Sequence, residues 1–138
     1  MNNGVESWFF QGGNFEDEPG KTPEGIWTLD FDGSHSSSVS GAGIVLTTPP
    51  KETFYYSYRL EYHCMNNVFE YEALVIGLNM AIDRGIMHLR VIGDSYLILS
   101  QVLLNFSTKN ERLKRYRDFA RFVVKSFEVV LIEVVPRE

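Results

Sequence analysis

The sequence predicts one α/β domain, a five-stranded mixed sheet with flanking helices in the order βββαβααβ. Three observations carry that expectation. Three strand-like runs with short connections come first, which makes an antiparallel meander. An apolar repeat at helical spacing follows, and behind it a short apolar run reads as a strand parallel to the first. A basic amphipathic stretch then leads into a last apolar run. At 138 residues, 44% of them hydrophobic, the chain can bury one core without disulfides or a structural metal. The lone Cys64 excludes an intramolecular disulfide and a Cys-based zinc site.

The elements follow in order. Residues 1–25 are rich in Gly, Pro and acids, show no period, and read as a flexible leader or linker, with Trp8, Phe9 and Phe10 as groups able to dock. The domain then spans 26–138. Ile26–Asp32 reads as a strand ending at a Gly33-Ser34 turn. Gly43–Thr48 and Thr53–Tyr62 are the next two strands, parted by the Pro49-Pro50-Lys51-Glu52 turn. Asn66 or Asn67 caps a helix in which Tyr71, Leu74, Val75, Leu78 and Ile82 repeat, and Gly85 stands where a C′ glycine belongs. His88–Gly93 is a short strand and Ser95–Leu104 a second helix. Lys109–Ser126 is a third helix, its basic residues opposite Leu113, Tyr116, Phe119, Ala120 and Val123; Phe127–Val135 is the last strand.

No apolar run approaches the ~18 residues of a membrane span. The start, with neither a basic n-region nor a long apolar stretch, points to an intracellular protein of nucleus or cytoplasm, not a secreted one. The net charge of −5 argues against nucleic acid only if it is evenly spread. It is not: residues 109–125 carry seven cations and two anions. Such a block is a candidate anion-binding face, and equally a solvated amphipathic face.

Three acids fall where a site is built. Asp32 ends the first strand beside a glycine, Glu70 lies in the first turn of the first helix, and Asp94 ends the fourth strand within Gly93-Asp94-Ser95. Parallel pairing of those strands makes their ends converge, with the connecting helix crossing nearby. Carboxylates gathered at one point repel one another unless a divalent cation neutralises them, and an all-oxygen set favours Mg²⁺ or Mn²⁺ over Zn²⁺. Glu70 borders the buried stripe, whereas Glu72 faces solvent. Asp30, on the same strand face as Asp32, is an auxiliary acid or a variable residue without a role. His35, His63 and His88 have no ligand spacing, and Cys64 reads as a small buried residue.

The segments Trp27-Thr-Leu-Asp-Phe-Asp32-Gly-Ser34, Asn66-Asn67-Val-Phe-Glu70-Tyr-Glu-Ala-Leu74 and Val91-Ile-Gly-Asp94-Ser95 together resemble type I ribonuclease H. Their flavour is that of the domain in plant gypsy-type retrotransposon polyproteins. The resemblance implies the ribonuclease H-like fold and cleavage of the RNA strand of RNA–DNA hybrids by a two-metal mechanism. It makes Asp32, Glu70 and Asp94 the catalytic and metal-binding residues, with two Mg²⁺ (or Mn²⁺) ions. Asn66 and Asn67 would contact the hybrid's minor groove, although capping alone also explains them. Gly33, Ser34 and Ser95 would lie close to the nucleic acid. Lys109, Arg112, Arg115 and Arg117 would follow phosphates.

The family also has a fourth acid, on a helix after a Pro-Arg segment. The sequence reaches Pro136-Arg137-Glu138, so the expectation is a fold short of its C-terminal helix and an activity impaired by a missing carboxylate, unless a longer protein or a partner supplies it. The alternatives are an inactive nucleic-acid-binding or structural module of retroelement origin, and a domain working within a reverse transcriptase or larger polyprotein. Oligomeric state is not encoded in any of these features.

Overall fold

Strand pairing organises the molecule. A computed structural model describes residues 6–11, 14–16, 25–35, 40–50, 52–60, 66–94, 98–99 and 111–135. Strands β3 (Trp27–His35), β4 (Ser40–Thr47) and β5 (Thr53–Leu60) form the expected antiparallel meander. Helix α1 (Asn66–Asp83) carries the chain across, and β6 (His88–Gly93) returns parallel to β3. Helix α2 (Glu111–Val124) precedes β7 (Val129–Val134), which pairs parallel to β6. The five-stranded mixed core is therefore the one expected.

Two departures extend it. The leader is not wholly a linker: β1 (Glu6–Gln11) pairs antiparallel with β7, β2 (Asn14–Glu16) pairs with β1, and the full order is β2-β1-β7-β6-β3-β4-β5. The reason lies in β7, whose Val129, Val130, Leu131 and Ile132 are all buried. Left as an edge, that strand would expose its backbone groups beside apolar side chains. β1 covers it and sends Phe10, 1% exposed, into the main core. In the β1–β2 pairing Gln11 stands opposite Asn14. The second departure is at Gly33-Ser34, expected as a turn. The strand continues through both to His35, opposite the small residues Ala42, Gly41 and Ser40.

The core lies between α1, α2 and one face of the sheet. Leu29 and Phe31 of β3, Ile44 and Leu46 of β4, Leu89 and Val91 of β6, and Val130 and Ile132 of β7 alternate into it. They meet Tyr71, Leu74 and Leu78 from α1 and Leu113, Ala120 and Val124 from α2. On the other face, Val129 and Leu131 form a small separate cluster with Ile26. The helix expected over Ser95–Leu104 lies mostly outside the described residues; Ile98 and Leu99 are helical and fully buried. No described helix is long and apolar enough to cross a membrane.

Helix α1 ends as its glycine predicts. Gly85 has φ +74°, its N–H donates to Ile82 O at 2.9 Å, and Ile86 N–H donates to Ala81 O at 3.1 Å. That is the paired hydrogen bonding of a left-handed cap. Gly85→Ala is expected to cost about 1 kcal/mol, seen as a Tm lower by about 3–5 °C. An unchanged Tm would show that the cap contributes nothing.

Candidate metal centre and nucleic-acid face

The β3–β6 register builds the centre. Asp30 pairs with Ile92 at the end of the parallel ladder, so Asp32 and Asp94 emerge side by side two residues further on. Helix α1 rises beside them and presents Glu70 from its second turn, not the first as expected, because the helix already begins at Asn66. One carboxylate oxygen from each of Asp32, Glu70 and Asp94 lies within 4.8 Å of the other two, and all three residues are half-buried. The Oε2 atom of Glu70 is itself buried. Three hard oxygen donors at that separation, drawn partly out of water, fit a divalent cation of the Mg²⁺ type. The arrangement can hold a divalent ion where β3 and β6 end.

Beside the cluster is a cavity of about 470 Å³, lined by Asp30, Asp32, Gly43, Val45, Tyr55 and Ser57 among others. Asp30 thus borders the same space as Asp32. The roles of Tyr55 and Ser57 as lining were not legible from β-propensity. Only the register Asp32↔Gly43↔Ser57 and Asp30↔Val45↔Tyr55 brings them there.

The other expected contacts are distributed unevenly. Gly33 and Ser34 continue β3 directly past Asp32, and Asn66 and Asn67 open α1, four and three residues before Glu70. Ser95 and Lys109 lie outside the described residues. Arg112 and Arg115 are exposed on α2.

Arg117 does not join them. It is 7% exposed, and its Nε and Nη2 donate to Asp118 Oδ1 at 3.0 and 2.9 Å. Its position on the helix sits at the margin of the arc occupied by Leu113, Ala120 and Val124, which pack on the core. Arg117→Met, which keeps the aliphatic volume, is therefore expected to leave nucleic-acid affinity within about twofold. A loss as large as that of Arg115→Ala, by anisotropy, would return Arg117 to the binding face.

Phe119 also departs from its expected burial, at 47% exposed. Glu72, expected to face solvent, is half-buried: the Tyr116 hydroxyl donates to its Oε1, tying α2 to α1. The Tyr116 ring stacks on Tyr71 with centroids 5.8 Å apart. Burial pushes the Tyr71 hydroxyl pKa up, and the Arg117 charge offsets only part of that. Burial, then the neighbouring Arg117 charge, pulls the Arg121 pKa down.

A five-stranded mixed core in this order, with an Asp–Glu–Asp cluster where two parallel strands end, defines a protein of the ribonuclease H fold. The chain belongs to the Reverse transcriptase-like family, whose pattern matches residues 30–138. Among solved structures it is similar to RNase H1 from the halophilic archaeon Halobacterium salinarum, at 28% identity and a TM-score of 0.75, over 82% of this chain and 87% of that one. The N-terminal RNase H domain of a Mycobacterium tuberculosis protein matches at 25% identity and a TM-score of 0.66, over 82% and 84%. A compost-derived RNase H1, solved in complex with an RNA/DNA hybrid, shares the fold at 24% identity and a TM-score of 0.64, over 80% and 86%. No curated protein sequence matches the chain.

Proposed function

We propose that the domain cleaves the RNA strand of RNA–DNA hybrids with divalent-metal assistance at Asp32, Glu70 and Asp94. The carrying observation is the convergence of those carboxylates within 4.8 Å at the ends of β3 and β6. The family membership and the hybrid bound by the compost-derived neighbour support the same reading.

In this scheme Asp32 would serve both ions, and Glu70 and Asp94 would each help to hold one. Bound Mg²⁺ or Mn²⁺ would supply an activated water and charge stabilisation at the leaving 3′ oxygen. The protein's own contribution is placement. β3 and β6 fix Asp32 and Asp94 through the parallel ladder, and α1 fixes Glu70 through its packing on β3. Gly33 and Ser34, next along β3, let the RNA backbone approach. Asn66 and Asn67, at the start of α1, read the minor groove, where 2′-hydroxyls distinguish RNA. The family's name favours a setting beside a reverse transcriptase, in a retroelement polyprotein.

The test is incubation with a strand-labelled hybrid and Mg²⁺ or Mn²⁺, beside single-stranded RNA, duplex DNA and the Asp32→Asn variant. The expected result is metal-dependent cleavage of the hybrid's RNA strand alone, largely lost in the variant. Cleavage undiminished in Asp32→Asn belongs to a contaminant and sinks the reading. Hybrid binding without cleavage in either metal makes the domain a binding module instead.

A further inference from the structure

Helix α2 carries a stripe that neither the core nor the carboxylate cluster uses. Arg112, Arg115, Phe119 and Phe122 follow at spacings of three, four and three residues. They therefore share one face, within roughly 80° of arc and about 15 Å of helix length. All four are exposed, Phe119 by 47% and Phe122 by 71%. The N-terminal part of the stripe borders a cleft of about 380 Å³ against α1, lined by Glu72, Val75, Arg112, Arg115, Tyr116 and Phe119. Tyr116, which lines it, is bonded to Glu72 and stacked on Tyr71.

Single exposed apolar residues are ordinary. Two phenylalanines in line with two arginines are a more particular combination, because it offers cations for phosphates and π-faces for bases. The charge distribution supports the same occupant. Most of this chain, at net −5, repels a polyanion, and the segment holding the stripe is the local exception.

We propose that the stripe binds an unpaired nucleic-acid strand, with phosphates on Arg112 and Arg115 and bases stacked on Phe119 and Phe122. The proposal rests on the nucleic-acid half of the function above and adds a contact for a single strand, distinct from the hybrid at the carboxylates. Glu70 of the cluster and Glu72 of the cleft are two residues apart on α1. A strand leaving the hybrid reaches the cleft by crossing the width of that helix, about 10 Å.

The experiment is fluorescence anisotropy of a short labelled oligothymidylate with the full chain in EDTA. The wild type binds. Phe119→Leu with Phe122→Leu keeps apolar surface but removes the π-faces, and weakens binding about tenfold or more. Arg112→Gln with Arg115→Gln weakens it and lowers the slope of log K against log salt by about 1.4. Lys114→Gln with Lys125→Gln, an equal charge change off the stripe, alters affinity less than about twofold. Circular dichroism matching the wild type qualifies each variant.

No wild-type binding, full binding by the leucine pair, or an equal loss in the lysine pair overturns the proposal. So does self-association that Phe119→Ser with Phe122→Ser abolishes while oligothymidylate binding persists. Hybrid cleavage is scored separately. A chain that binds oligothymidylate through the stripe but cleaves no hybrid keeps this proposal and loses the nuclease. One that cleaves hybrid and ignores oligothymidylate does the reverse.

Discussion

Asp32→Asn is expected to slow hybrid cleavage by about a thousandfold and, in EDTA, to make the protein more stable. The two effects share one cause. Oxygens of Asp32, Glu70 and Asp94 lie within 4.8 Å of one another. A pair of full charges at that distance repels by about 3 kcal/mol at an effective dielectric of 20. Water reaching half-buried groups and dissolved salt screen most of this. With about 1 kcal/mol left, the amide gains about 3–5 °C in Tm.

Metal inverts the order. On the proposed reading Mg²⁺ is expected to stabilise the wild type according to its concentration over Kd, and the variant, with one carboxylate fewer in the cluster, to gain less. Its cleavage rate falls by about a thousandfold, because several kcal/mol of transition-state stabilisation go with the ligand. Thermal melts in EDTA and in Mg²⁺, run beside cleavage assays, check all three statements. An Asp32→Asn protein less stable than wild type in EDTA would make Asp32 a structural acid and remove the metal centre.

Asp32 and Asp94 were legible because each ends a strand beside a glycine, and because a helix between two strands implies parallel pairing and converging ends. Glu70 was legible from its place before Leu74 on the apolar side of α1. What escaped the sequence depends on long-range partners. β1 lies within Gly- and acid-rich composition, and only the need of β7 for a neighbour makes it a strand. Gly33-Ser34 has turn composition, yet β4 offers it a ladder. On α2, periodicity located the buried arc but not its margins. Arg117 falls inside and Phe119 outside, because the arc centres on Ala120 and Val124. Glu72 was misjudged because Tyr116, 44 residues away, takes its carboxylate.

Gly93→Ala is expected to lower both stability and turnover without touching a ligand. A Cβ at position 93 would stand 2.7 Å from Phe31 Cε1 and Cζ and 3.4 Å from Leu99 Cδ1. Phe31 is 1% exposed and Leu99 fully buried, so the ring has nowhere to swing. The overlap is relieved by parting β3 from β6, at about 1–3 kcal/mol and a Tm lower by roughly 3–10 °C. Phe31 immediately precedes Asp32, and Gly93 immediately precedes Asp94. The same strain therefore moves two of the three carboxylates apart, and a misplacement near 1 Å costs about a hundredfold in rate.

Shortening the ring separates this cause from general damage. Phe31→Leu in the Gly93→Ala background should recover both Tm and rate, with a coupling of about 1 kcal/mol or more between the two sites. Strictly additive losses would show that the glycine matters for some other reason. The metal-free melt also tells the two inactive variants apart. Asp32→Asn raises it by removing a charge, whereas Gly93→Ala lowers it by adding volume, so activity lost with opposite thermal shifts identifies which property of the site each residue supplies.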